Sequence, residues 1–145
     1  MILDMVLETR IGLRYLFALA IVGAAVTPQT AAASERVIEI LADKDSRYKI
    51  AGQPTPEISM RAGERVTFRI TARKGKTWNR DGSIHGFTLL NAKTRIKVPG
   101  WDFLLHPGEQ ELSLTAPEAG EYEVVCTVIC TEDHEGMPMK VVVLP

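Results

Sequence analysis

The sequence predicts an all-β domain, a Greek-key β-sandwich of seven or eight short strands. Short runs of alternating apolar and polar residues recur after Glu35, turn residues such as proline and glycine separate them, and no long apolar helix pattern is present there. This alternation suits a sandwich because one face of each sheet packs on the core and the other meets water.

Each predicted strand lies between two turn signals. The clearest is 65–71, in which Val66, Phe68 and Ile70 would share the core face. A short strand at 96–98 would stop at Pro99-Gly100, and we expect 101–106 to be a loop that covers the sandwich. The other predicted strands are 36–42, 48–51, 84–90, 110–116, 121–126 and 140–144, and 57–60 leads into a turn at 61–64.

Residues 1–33 have the pattern of a secretory signal peptide. Arg10 and Arg14 precede an apolar run at 15–26, and small alanines follow it. The run is shorter than the roughly 20 residues that span a bilayer, which favours a cleaved signal over a membrane anchor. We therefore expect a domain at 35–145 in the periplasm or another extracytoplasmic space, attached to a membrane only if the segment stays uncleaved.

Composition excludes one class of partner and leaves an alternative open for the cysteines. The formal net charge of -1 gives no support for a nucleic-acid partner. The chain has two cysteines, and in an oxidising compartment such a pair often forms a disulfide. A disulfide therefore competes with any metal-binding role.

Both cysteines fall in one short stretch near the C-terminus, spaced C-x3-C-x3-H-x2-M. Its candidate ligands are Cys126, Cys130, His134 and Met137. Soft sulfur with imidazole is a ligand set that suits copper. His85 lies on a different predicted strand, which in a sandwich can run beside the strand that ends at Cys126. The pattern predicts a copper site at one end of the fold.

Other chemistries explain this residue set less well. A structural zinc site could use two cysteines and two histidines, but such sites usually draw on two short knuckles, and a thioether in register favours copper. A mononuclear blue-copper site needs only one cysteine. A Cys130–His134 nucleophile pair would not need the second thiol and the methionine. Two thiolates that point into one site could instead bridge two copper ions.

The stretch resembles the binuclear copper (CuA) loop of the cupredoxin domain in subunit II of haem-copper oxidases and in nitrous oxide reductase, where the pattern is C-x-E-x-C-x3-H-x2-M. Residues 83–87 resemble that family's second histidine segment, and the resemblance covers about residues 36–145. It implies a cupredoxin fold with two copper ions. The implied ligands are the bridging thiolates of Cys126 and Cys130, one imidazole per copper from His85 and His134, the weak ligand Met137 and the backbone carbonyl of Val128.

The chain departs from the family pattern at three positions. Val128 stands where the family has glutamate, and Thr131 where glycine is common. Asp81 lies four residues before His85 rather than three. Because the backbone carbonyl at 128 would bind the metal, valine is chemically permissible there.

The resemblance implies an electron carrier rather than an enzyme. Its partner would be a redox protein such as a c-type cytochrome or a terminal oxidase or reductase, and the acidic Glu132, Asp133 and Glu135 could attract a basic cytochrome. Two alternatives stay open. The same ligands could carry Cu(I) in a periplasmic chaperone or storage module, or the domain could be structural, with a disulfide and no metal.

Overall fold

The computed structural model describes residues 35–76, 79–130 and 136–145, which form two β-sheets around one core. The predicted signal segment lies outside these residues, and within them no helix is long and apolar enough to cross a bilayer. The strands are β1 (Arg36–Ala42), β2 (Tyr48–Lys49), β3 (Glu57–Arg61), β4 (Arg65–Ala72), β5 (His85–Asn91), β6 (Lys97–Leu105), β7 (Gly108–Thr115), β8 (Gly120–Val125) and β9 (Met139–Leu144).

The strand order confirms the predicted all-β sandwich. One sheet has the order β2-β1-β4-β7, and the other has the order β3-β9-β8-β5-β6. Two neighbouring pairs, β1 with β4 and β3 with β9, run parallel, and the other pairs run antiparallel. Strands that are neighbours in space but not in sequence require the chain to cross between the sheets, as Greek-key connections do.

The predicted core face of β4 is confirmed. Val66, Phe68 and Ile70 are fully buried, while residues between them reach toward the outer face. The Phe68 ring lies 5.7 Å from the Phe87 ring and 5.5 Å from the Trp101 ring, so the two sheets meet through aromatic contacts. Pairs at these distances add to the free energy of burial.

The prediction for residues 96–106 is wrong. A single strand, β6, runs through Pro99 and Gly100. Because Glu57–Arg61 (β3) is also a strand, the described residues form nine strands rather than seven or eight. Because β6 is an edge strand, a missing proline N–H need not break a ladder hydrogen bond. The register shift between Thr88 and Leu90 absorbs the extra residues as a bulge, in which Gly100 adopts a φ of 79°. Trp101 is therefore buried in the core rather than carried on a loop.

The strand directions gather several connections at one end of the sandwich. β5 begins there at His85, β8 ends there at Val125, and β9 begins there at Met139. The first residue of β5 pairs with Leu105, the last residue of β6. The predicted ligand loop and His85 therefore share a rigid base formed by the five-stranded sheet.

Candidate metal centre

Three of the predicted ligands converge at this end of the fold. The ligand atoms of His85, Cys126 and Cys130 all lie within 4.8 Å of one another. Their residues are 1%, 7% and 5% exposed. The two cysteines are not joined in a disulfide. The arrangement is a buried cluster of one imidazole and two sulfur atoms.

Strand β5 holds the Cys126 sulfur in place. The backbone N–H of Gly86 donates to Cys126 Sγ over 3.2 Å, and the sulfur lies 3.4 Å from the carbonyl oxygen of Val128. A Cβ atom at Gly86 would lie only 2.9 Å from the backbone nitrogen of Thr127. Glycine is therefore needed here for the strand to approach the ligand loop this closely.

The His85 ring is oriented so that one nitrogen remains for a ligand. Its Nε2 donates to the backbone oxygen of Arg73 over 3.0 Å, so Nδ1 is the ring nitrogen that takes no part in this hydrogen bond. Nδ1 is buried and has no hydrogen-bond partner among the described residues. A metal-bound histidine typically donates its other ring N–H to a carbonyl in this way. The site therefore fits a metal ion, which would satisfy the buried Nδ1.

Two further loops fix the backbone around Cys130. Ser46 Oγ, in the β1–β2 connection, donates to the Cys130 carbonyl over 3.0 Å. Asn79 Nδ2, in the β4–β5 connection, donates to the Ile129 carbonyl over 3.3 Å and to the Ser83 carbonyl over 3.1 Å. Sequence reasoning missed Ser46 and Asn79, because turn-forming Ser and Asn residues are common and their long-range partners leave no local signal.

Tyr48 is a buried neighbour of the site that sequence reasoning also missed. Its hydroxyl donates to the Gly86 carbonyl, and its ring packs edge-on against Phe87 at 5.9 Å. Burial, with the nearby thiols of Cys126 and Cys130, raises the pKa of Tyr48 well above its usual value. Tyr48 therefore stays protonated and acts as a hydrogen-bond donor that supports the start of β5.

Solved structures share this architecture, whereas no protein-family model and no curated protein matches the sequence. A haem-copper terminal oxidase chain matches with a TM-score of 0.52 and 19% identity over 77% of this chain, which spans 66% of the oxidase chain. Auracyanin A, a "blue" copper protein from Chloroflexus aurantiacus, matches with a TM-score of 0.51 and 20% identity over 74% of this chain and 98% of its own. Auracyanin from Roseiflexus castenholzii matches with a TM-score of 0.50 and 16% identity over 78% of this chain and 100% of its own.

This chain has the cupredoxin fold. At these identities the likeness concerns the fold, and the chemistry has to be argued from the site itself. In this cupredoxin domain the donors are one imidazole nitrogen and two thiols, and soft sulfur with imidazole suits copper.

In the cupredoxin domain, the groups around the Cys126 thiol favour its ionised, metal-binding form. Its pKa is lowered from 9.0 to about 5, chiefly by the Cys130 thiol, then by the His85 imidazole and the backbone at Gly86 and Val128, while burial opposes the shift. A thiolate is the form of cysteine that binds metal. The site therefore presents a thiolate at neutral pH.

The remaining predicted ligands are placed to different degrees. Met137 is 2% exposed, belongs to the same buried cluster as both cysteines, and adopts a φ of 49°. The N–H of Cys126 donates to the carbonyl of Gly136, which brings the end of the ligand loop back to its start. His134 lies outside the described residues. His106, for which no site role was predicted, is exposed and contacts the Asp81 carbonyl.

Proposed function

We propose that this protein is an exported electron carrier with a binuclear copper centre of the CuA type. The observation that carries the proposal is the pair of buried thiols of Cys126 and Cys130, both within 4.8 Å of an imidazole nitrogen of His85. A mononuclear blue-copper site uses a single thiolate, so it leaves the second buried sulfur without a role. Two bridging thiolates give both sulfur atoms a role.

In this proposal Cys126 and Cys130 would both hold the two copper ions, and His85 would bind one of them through Nδ1. His134 binds the other by its position in the C-x3-C-x3-H-x2-M spacing, and Met137 is a weak thioether ligand. The Val128 carbonyl, which lies 3.4 Å from Cys126 Sγ, supplies the backbone oxygen.

When bound, copper would supply one-electron redox chemistry. The protein contributes a stiff site. Gly86 fixes one sulfur, the Ser46 hydroxyl fixes the backbone at Cys130, and the Arg73 carbonyl fixes the His85 ring, so little has to move when the charge changes. No substrate bond is broken in this role. The function is electron transfer rather than enzymatic catalysis.

The proposed setting is extracytoplasmic. Residues 1–33 carry the signal-like pattern that supports export. The partner would be a redox protein, either a c-type cytochrome or a terminal oxidase or reductase. An oxidase chain of the same fold supports this partner class.

Copper stoichiometry with absorption and EPR spectra tests the proposal. We expect two copper ions per chain, a purple protein and a mixed-valence EPR signal. Cys130→Ser and His85→Asn should each abolish that signal. His106→Asn is the matched control, because His106 lies at the same end of the fold but is exposed, and it should keep the spectrum. A mixed-valence signal that persists in Cys130→Ser would contradict the ligand assignment.

Two close, buried thiols also suit Cu(I), which favours a copper chaperone or storage module as the second candidate. A colourless protein that holds one Cu(I) per chain would support that function over electron transfer. Failure to bind copper, together with an oxidised Cys126–Cys130 pair, would contradict both candidates and leave a structural domain.

A further inference from the structure

We propose that the metal-site end of the domain is a docking surface for an acidic electron-transfer protein, an inference that rests on the proposed function. The surface consists of cationic side chains from two connections, β1–β2 and β4–β5, around the exposed Ile129. We call these side chains the basic rim: Lys44, Arg47, Arg73, Lys74, Lys76 and Arg80.

The basic rim is joined to the candidate metal centre through its own backbone. The Arg73 carbonyl accepts the hydrogen bond from His85 Nε2 over 3.0 Å. Asn79, next to Arg80, donates to the Ile129 carbonyl over 3.3 Å. The charges therefore lie on segments that contact the ligand residues, which places a bound partner close to the redox centre.

The two connections that carry the rim also touch each other. A Cβ atom on Gly75 would lie 2.7 Å from the backbone oxygen of Lys44, so glycine permits the close approach. Lys44 therefore lies beside the segment that carries Lys74 and Lys76. The cations form one patch rather than two separate loops.

The acidic residues within the rim segments are already engaged. Lys49 binds Asp43 at 2.6 Å and Asp45 at 2.7 Å, and Arg73 lies 3.9 Å from Asp43. Asp81, which follows the rim, accepts hydrogen bonds from the N–H and hydroxyl of Ser83. Counting Lys49 with the six rim cations, segments 43–49 and 73–81 carry seven positive and three negative charges, a local excess of positive charge, although the whole chain has a net charge of -1.

All six rim side chains are exposed, and Ile129 beside them is 54% exposed. Transient interfaces commonly have an apolar centre surrounded by polar and charged residues. Complementary charge on the two partners then guides their encounter. Attraction between opposite charges can raise association rates by about 10- to 1,000-fold. The partner that fits is a redox protein with acidic residues around its own electron-exchange site.

The ligand loop carries negative charge on Glu132, Asp133 and Glu135. These three residues lie outside the described residues. If these acids governed docking, the partner would be basic. The rim segments keep an excess of four positive charges, which is one more than the three negative charges of the loop and favours an acidic partner. The two possibilities predict opposite results with charged probes.

The first experiment maps the surface without requiring copper. Nuclear magnetic resonance spectra of the full, reduced chain would be recorded with hexacyanochromate(III), a paramagnetic trianion, and then with hexaamminechromium(III), a trication. We expect the anion to broaden the amide signals of the basic rim, and the cation to leave them sharp. Broadening of this end by the cation would overturn the proposal and indicate a basic partner. Broadening by neither probe would also overturn it.

The second experiment measures electron exchange in the copper-loaded protein. The reduced protein would transfer one electron to hexacyanoferrate(III), and separately to an acidic and a basic c-type cytochrome of similar potential. At low ionic strength we expect the double variant Lys74→Glu/Lys76→Glu to react about tenfold more slowly with the two anionic acceptors and faster with the basic cytochrome. At about 1 M salt, where the screening length is only about 3 Å, the difference should vanish.

The matched control reverses two charges at the opposite end of the sandwich, in Arg61→Glu/Lys93→Glu. Arg61 pairs with Leu144 at the far end of β9, and Lys93 follows the far end of β5. This variant should react at the unaltered rate. Equal effects of the two double variants would contradict a local docking surface. Failure of the proposed function would show separately, as a missing copper spectrum in the unaltered chain, and the anion map would still decide the charge of this surface.

Discussion

At the scale of single residues, several groups of the site contact or stabilise the Cys126 thiol. The Cys130 thiol, the His85 imidazole and the backbone at Gly86 and Val128 all lower the pKa of this thiol, and the Gly86 N–H donates directly to its sulfur atom. The protein therefore stabilises a thiolate before any metal arrives. This preparation has a measurable consequence in the metal-free protein.

We expect the Cys126 thiol of the reduced, metal-free protein to titrate with a midpoint near pH 5, because its pKa is lowered to about 5. Since the folded pKa lies below the unfolded one, the thiolate stabilises the fold fully above about pH 9, and this stabilisation is lost as the pH falls through 5. A shift of this size corresponds to at most about 5 kcal/mol. Ultraviolet thiolate absorbance and denaturant unfolding across this range measure both effects.

Cys126→Ser is the control for this titration. The variant should lose the low-pH absorbance step and the accompanying rise in the free energy of unfolding. His106→Asn should keep both, because its side chain contacts no thiol in the structure and instead meets the Asp81 carbonyl. A thiolate midpoint near pH 9 in the unaltered protein would show that the surrounding groups do not stabilise the anion.

Residue type decided which parts of the site could be predicted. Cysteine is rare in this chain, so a pair in register with His134 and Met137 is informative. Ser46 was not predicted, because its partner at Cys130 lies 84 residues away and only the folded chain joins them. Tyr48 belongs to a predicted strand, and the structure confirms that strand. Its hydrogen bond to the Gly86 carbonyl could not be predicted, because it depends on packing between the two sheets.

At the scale of elements, alternation predicted the strands that present one face to the core. It failed at β6, where Pro99-Gly100 reads as a stop but lies in a bulge of an edge strand. Edge position is a property of the folded sheet, so a local pattern cannot supply it. A local pattern also cannot supply the contact between β5 and the ligand loop. This contact depends on the close approach that Gly86 permits in the folded chain.

Gly86→Ala should separate β5 from the ligand loop. The new Cβ would lie 2.9 Å from the Thr127 nitrogen and 3.3 Å from its hydroxyl oxygen, and the Gly86 N–H bond to Cys126 Sγ should lengthen. We expect a loss of about 1–3 kcal/mol in the free energy of unfolding and an altered copper absorption spectrum. Denaturant unfolding and absorption spectroscopy measure the two effects.

Gly120→Ala is the matched control for this substitution. Gly120 begins a neighbouring strand, and a Cβ there would meet the Tyr122 side chain at 3.4 Å, which is ordinary contact. The control should leave the copper spectrum unchanged. If Gly86→Ala also left the spectrum unchanged, close approach of β5 would not define the sulfur environment.

At the scale of the whole molecule, the sandwich places buried thiols and exposed cations at the same end. His85 and the ligand loop belong to the five-stranded sheet, while β1 and β4 of the four-stranded sheet lead into the connections that carry Ser46 and Arg73. A ligand bound at this end would therefore restrain connections from both sheets. Copper removal should then affect the stability of the whole domain.

Copper should raise the thermal midpoint because a preformed site binds it more tightly than the unfolded chain does. With free copper at about a thousandfold above its dissociation constant, the native state gains about 4 kcal/mol, which in a domain of this size corresponds to a rise of at least about 10 °C. Calorimetry with and without copper, under reducing conditions, measures the shift. His106→Asn should keep it, whereas Cys130→Ser should lose most of it. Equal midpoints for the copper-loaded and metal-free forms of the unaltered protein would mean that the metal does not bind at the site that the fold has prepared.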